Sequence, residues 1–129
     1  MAPRPTSNQE LECLLHLAEH GPQTATDLWE AFGGPRGLAR TTVLTVLERL
    51  RTKGHVVRRR ENGVFVYRAL EGHVETMRRS VGQFVDRALG GSISPFAAYL
   101  SERTDVTDEE LTALNRAVRA LSERKRRNS

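Results

Sequence analysis

Cysteine, aromatic residues and long apolar runs are all scarce in this chain, and each scarcity excludes something. The single cysteine, Cys13, rules out an internal disulfide framework and fits a reducing compartment. Aromatic residues are 5% of the 129, with one Trp, which leaves few faces for stacking unpaired bases and counts against a single-stranded nucleic-acid binder. No segment approaches the roughly 18 consecutive apolar residues of a membrane span. The stretch Met1–Glu10 also lacks the apolar run of a signal peptide. A soluble, cytoplasmic protein with no membrane partner is therefore expected. There is no Gly-rich phosphate loop, nucleophile motif or plausible carboxylate pair, so no catalytic residue and no cofactor is assigned, and an enzyme is not expected.

What the chain does have is positive charge in one place. Between Arg36 and Arg68 stand nine Lys/Arg against two acids, Glu48 and Glu61, a local balance of +7 where the whole chain carries +4. From Glu71 to Ser122 the balance reverses to six basic and eight acidic residues. Hydrophobic residues at 38% and charged residues at 28% are globular values.

Local signals divide the first half into three helices and a hairpin. Ser7 and Glu10 form a capping-box pattern that opens a helix with Leu11, Leu14, Leu15 and Ala18 on one face, ended by Gly21-Pro22. Thr24-Ala-Thr-Asp27 starts a second helix through Leu28, Trp29, Ala31 and Phe32, stopped by Gly33-Gly-Pro35. The third runs from about Leu38 to Lys53 and closes at Gly54. Two β-branched runs follow, Val56–Arg60 and Val64–Arg68, around Asn62-Gly63, a dipeptide that favours the type I′ hairpin turn. The expected fold is mainly α with a small β-hairpin wing. It comprises a winged helix-turn-helix DNA-binding domain over residues 1–70 and a C-terminal helical dimerisation region with a basic tail over 71–129.

On a wheel at 100° per residue, Val43, Leu44, Leu47 and Leu50 of the third helix cluster toward the core. Thr41, Thr42, Thr45, Arg49 and Thr52 fall on the other side. Thr offers a hydroxyl and a methyl to base edges, and Arg can read guanine bidentately, so this face suits a major groove. Arg58, Arg59, Arg60 and Arg68 on the hairpin are assigned to phosphates, which fix register without carrying sequence information. Arg40, at the helix start, suits either phosphate contact or simple solvation.

In the second half, Val74, Met77, Val81, Phe84, Val85, Ala88 and Leu89 recur at helical spacing up to the break at Gly90-Gly-Ser92. A short helix is expected from Pro95 to Glu102. Thr107 and Glu110 form a second capping box, opening a helix with Leu111, Leu114, Val118 and Leu121 on one side. Helices this few cannot bury such stripes alone, so they are expected to pack against a second copy, making a homodimer. The run Arg124-Lys-Arg-Arg127 suits the negative end of that helix's dipole.

The residues Thr41–Leu50, Lys53-Gly54, Arg58–Arg60 and Val64–Tyr67 closely resemble the penicillinase repressor family, winged-helix repressors of β-lactamase and methicillin-resistance genes. The resemblance implies a homodimer that binds a double-stranded dyad operator and blocks transcription. It places recognition-helix contacts on Arg40, Thr41, Thr42, Thr45 and Arg49, and dimer helices on the Val74–Leu89 stripe and Leu111–Leu121. The paired Cys-x-Cys motifs of the copper-responsive branch are missing, as is the Asn-Phe bond at which antibiotic-responsive members are cut; the counterpart segment reads Phe96-Ala-Ala-Tyr-Leu100. No upstream sensor is assigned.

Two other readings stand beside this one. Cys13, His16 and His20 share a helix face at i, i+3 and i+7, and thiolate with imidazole suits zinc or copper(I), so a metal- or ligand-sensing winged-helix regulator is the alternative. An architectural winged helix would need no Thr/Arg groove face. His55 and His73 are read as surface or packing residues.

Overall fold

Hydrogen-bonded side-chain caps open three of the helices of this computed structural model, which describes residues 4–129. Helix α1, Asn8–His20, opens on the Ser7 hydroxyl, which accepts the Glu10 N–H at 3.2 Å while the Glu10 carboxylate accepts the Ser7 N–H at 3.1 Å. It stops at Gly21, whose φ of 87° is the left-handed region that glycine occupies without strain. Strand β1, Gln23–Thr24, leads into α2, Ala25–Leu28, capped by the Thr24 hydroxyl on the Asp27 N–H at 3.1 Å. The chain then continues as a π-turn, Trp29–Gly33, and a 3₁₀ turn, Gly34–Arg36. Helix α3 spans Arg40–Thr52, two residues later in its start than the pattern suggests.

Strands β2, Val56–Glu61, and β3, Val64–Ala69, form the expected hairpin. Asn62 at φ 50° and Gly63 at φ 83° both take the left-handed values of a type I′ turn. The sheet has three strands in the order β1-β3-β2, all antiparallel, with Gln23 opposite Tyr67 and Arg58 opposite Tyr67 on the other side. A two-residue strand carries no periodicity, which is why β1 is invisible in the sequence. Helix α4, His73–Ala88, precedes Gly90 and Gly91; then come α5, Ser94–Ser101, and α6, Asp108–Arg127, the last opened by the Thr107/Glu110 box. Among the described residues, no helix is long and apolar enough to cross a membrane.

The chain divides into two compact units, the first reaching Gly91 and the second covering Ser92–Ser129. The first therefore extends past the expected boundary at Leu70, because α4 packs on α1. Thr76 is buried there with its hydroxyl bonded to the Gly72 carbonyl at 2.9 Å, and Arg79 pairs with Glu71. Helix α1 is turned relative to the expected stripe. The residues it buries are Glu10, Cys13, Leu14 and Leu17, whereas Leu11, Leu15 and Ala18, expected inside with Leu14, are only half-buried. A helix packed on α3, α4 and β3 at once has no single inward stripe to advertise.

The core of the first unit joins Cys13, Leu14 and Leu17 to Leu28, Phe32, Val43, Val46, Leu47, Leu50, Val56 and Tyr67. Gly33 lets the π-turn approach α3 closely: a Cβ there would stand 2.4 Å from the Val43 methyl. Gly33→Ala is accordingly expected to lower the unfolding free energy by about 1–3 kcal/mol through overpacking. Urea unfolding measures it, and an unchanged midpoint would show that α3 can retreat at no cost.

Candidate nucleic-acid interface

The outward face of α3 follows from what its inward face buries. Val43, Val46, Leu47 and Leu50 lie in the core at i, i+3, i+4 and i+7, which corrects the expectation for Leu44. Leu44 is 44% exposed, and Val46 takes the core position in its place. Thr41, Thr45, Arg49 and Thr52 are exposed and Thr42 is half-buried, so the polar face stands where the wheel puts it. The Thr45 hydroxyl donates to the Thr41 carbonyl at 2.9 Å, which turns its methyl and free lone pairs outward. Arg40 lies with its guanidinium 4.5 Å from the centre of the Trp29 ring. That ring is itself held by its indole N–H, which donates to the Leu38 carbonyl at 2.7 Å. Arg40 is thus oriented by a cation–π contact at the entrance to α3.

A single acid joins α3 to the hairpin. One oxygen of Glu48 accepts two bonds from the Arg51 guanidinium, at 2.9 and 3.2 Å. The other accepts Arg58 from β2 at 3.2 Å and the Tyr67 hydroxyl from β3 at 2.9 Å. Arg51 hydrogen bonding, with help from Tyr67 and against a burial penalty, holds the Glu48 carboxyl below the usual glutamate range. Burial, with the Glu48 bond beside it, pushes the Tyr67 phenol up. Sequence reasoning missed this role for Glu48. The available signal was that it is one of only two acids in the basic segment.

The four hairpin arginines do not form one patch. Arg58 faces Tyr67 and Arg60 faces Phe65 across the ladder, while Arg59 pairs with Val66 and Val57 with Arg68. Paired residues share a face, and successive residues alternate, so Arg58 and Arg60 stand on one side and Arg59 and Arg68 on the other. The Arg58 guanidinium lies 4.1 Å from the Phe65 ring centre and that of Arg60 lies 5.4 Å away. Arg58, read from sequence as a phosphate contact alongside the others, pairs with Glu48 and lies over Phe65 while remaining exposed. Arg59, Arg60 and Arg68 are exposed.

The proposed metal cluster does not assemble. Cys13 is fully buried rather than opposite the core face, and burial pushes its thiol up to about 12, with Arg36 opposing. A metal-binding thiol must be reachable, and this one is enclosed in the core. His16 and His20 do meet, with rings stacked 4.1 Å apart, and His20 is held by the His16 carbonyl at 2.9 Å. Among the described residues, no three His, Cys, Asp or Glu side chains converge as a metal site would require. His55, read as a surface or packing residue, is buried; His73 opens α4 half-buried.

The apolar stripes of the second half remain uncovered. On α4, Val74, Met77, Val81 and Phe84 are exposed and Val85 and Leu89 half-buried. On α6, Leu111, Val118 and Leu121 are exposed and Leu114 half-buried.

A helix with a polar Thr/Arg face, braced to a basic hairpin in a three-stranded sheet, can be compared with known proteins. The family model described as penicillinase repressor matches residues 6–120. The chain belongs to the penicillinase repressor family. As a member of that family it is a DNA-binding repressor. Among curated proteins, none matches the chain. A MarR family protein from Bacillus stearothermophilus is similar in structure, with a TM-score of 0.50 and 22% identity, over 95% of this chain and 76% of that one. The YusO protein from Bacillus subtilis gives 0.53 at 18% identity, over 92% of this chain and 75% of that one. At such identities the two structures speak for the fold, a winged helix.

In this member of the penicillinase repressor family, the lowered Glu48 carboxyl makes a sign-definite prediction. Its contribution to stability is complete above the ordinary glutamate value of 4.5 and is lost as pH falls through the lower folded-state value. Glu48→Gln should cost about 0.5–1.5 kcal/mol at neutral pH, discounted for partial exposure. The gap to the parent should close as the pH is lowered below 4.5. Urea unfolding across that range checks it, and a gap independent of pH would sink the role given to Glu48.

Proposed function

We propose that the chain is a homodimeric repressor of a dyad operator, each protomer laying α3 in a major groove with the hairpin against flanking phosphates. The observation that carries the reading is the outward face of α3, continuous through Glu48 with the basic hairpin. Thr41, Thr42, Thr45 and Arg49 are the base-reading set, because hydroxyl, methyl and guanidinium groups match the donor, acceptor and methyl pattern of base edges. Arg40, Arg59, Arg60 and Arg68 supply phosphate contacts that fix the register. Arg58 stays on Glu48 and holds the hairpin against α3.

Dimerisation rests on the uncovered stripes. Val74, Met77, Val81 and Phe84 recur at steps of three, four and three, and Leu111, Leu114, Val118 and Leu121 repeat the same spacing. That is the a/d spacing of helices that pack lengthwise against partners. A second copy offers both stripes an identical apolar surface, and a two-fold dimer matches a dyad operator with half-sites set one helical turn or a multiple apart. Such a protein acts by occupancy: seated over a promoter, it excludes polymerase. It is a regulator rather than an enzyme, and its working compartment is the cytoplasm.

Selection of genomic fragments by the purified protein at physiological salt tests the whole reading. A compact two-fold motif supports it, and recovery of random fragments would replace the repressor with an architectural factor. Residue by residue the signatures differ. Arg49→Ala should relax discrimination at particular base pairs by about 1–3 kcal/mol. Arg59→Ala should weaken all duplexes alike and flatten the salt dependence by about one per protomer. Phe84→Asp should yield a monomer by sedimentation with the DNA-reading unit still folded; a persistent dimer would remove α4 from the interface.

A further inference from the structure

The turn between α3 and β2 is fastened to a residue far away in the sequence. His55 is only 7% exposed, and its Nε2 hydrogen-bonds the backbone carbonyl of Arg4. The Arg4 N–H donates in turn to the Lys53 carbonyl at 3.0 Å. Both backbone polar groups of Arg4 are therefore committed to this turn. Burial keeps the His55 imidazole below the usual histidine value, with the Arg4 carbonyl opposing; a carbonyl can only accept, so the Nε2–H is the donor. The charged groups around it are Arg79 and Glu71 beside α4, Lys53 at the turn and Glu10 on α1.

Lys53 is braced from another side. Its ammonium pairs with the buried Glu10 carboxylate, whose burial penalty is outweighed by the bonds from Lys53 and Ser7, leaving it below the ordinary glutamate value. Lys53 is thereby spent on an internal ion pair, although it ends the helix that faces outward. Arg4 is exposed, pairs with no acid among the described residues, and lines the same shallow surface groove as Leu44, Thr45, Glu48, Arg49, Thr52 and Lys53.

We propose that Arg4 is a further DNA contact, an N-terminal arm residue clasped by His55 so that its guanidinium grips a backbone phosphate beside the C-terminal half of α3. The proposal rests on the reading of α3 as the helix that enters the groove. Guanidinium matches the phosphodiester in charge and in fork geometry. A residue on a loose arm would lose backbone freedom on binding; here two hydrogen bonds have already fixed it, and only the side chain is left to order. The contact carries no sequence information.

The test is a salt series of Kd for the full chain on duplex recovered by its own binding and on random duplex. Arg4→Ala, a surface change, is expected to flatten the salt slope by about 0.9 per protomer and to weaken both duplexes by the same factor. His55→Phe removes the donor and keeps a ring, and should reproduce that loss, with the double variant no weaker than either single one. An unchanged slope in Arg4→Ala, with the parent still binding its duplex, overturns the arm contact and leaves the repressor reading intact. A loss confined to the selected duplex would overturn the phosphate assignment in favour of a base contact. Additive losses in the double variant would overturn the clasp. Failure of the parent to bind any duplex would overturn the arm contact and the repressor reading together.

Discussion

Burial of Val43, Val46, Leu47 and Leu50 is the constraint on which the rest of this protein depends. Each such side chain is worth about 1.5–3 kcal/mol when withdrawn from water. Turning α3 by a single residue would swing the stripe through 100° and bring much of it back into water. The helix therefore has one rotation about its axis, and the identity of every outward residue is settled by that rotation. Gly33 tightens the same constraint from the α2 side, since its lack of a side chain is what admits the Val43 methyl.

The hairpin is anchored by Val56 and Tyr67 in the core and by β1 along β3, and Glu48 adds a polar brace between it and α3. Three groups from three elements converge on one carboxylate: Arg51 of α3, Arg58 of β2 and the Tyr67 hydroxyl of β3. Two arginines of the basic segment are thereby paired with an acid, though both remain exposed. Among the described residues, the basic side chains of this segment with no acidic partner are Arg40, Arg49, Arg59, Arg60 and Arg68. A count of basic residues is not a count of phosphate contacts.

The features that sequence made legible are those written in adjacent residues. Both capping boxes, the Asn62-Gly63 turn, the Gly90-Gly91 break and the polar face of α3 each depend on a few neighbours, and each appears as expected. The features that stayed hidden are set by contacts across the fold. Leu44 is larger than Val46 and looks the better core residue, yet the i, i+3, i+4, i+7 stripe selects Val46. Cys13 reads as part of a polar face, yet it lies in the core with Leu28, Phe32 and the α3 stripe. Strand β1 exists only because β3 has a free edge beside it, and the diversion of Arg58 needs Glu48 ten residues earlier in the chain. The candidate interface was thus readable as a surface, while the bonds that hold it in shape were not.

Cys13 gives the first unit a built-in reporter. Its side chain is wholly enclosed among Leu14, Leu17 and their neighbours, and burial pushes its thiol up to about 12. A thiol reagent in solution must wait for α1 to part from the core before it can react. The rate at which such a reagent labels the native chain is consequently a clock for opening of the very packing that aims α3, readable without a spectroscopic probe or an engineered substitution.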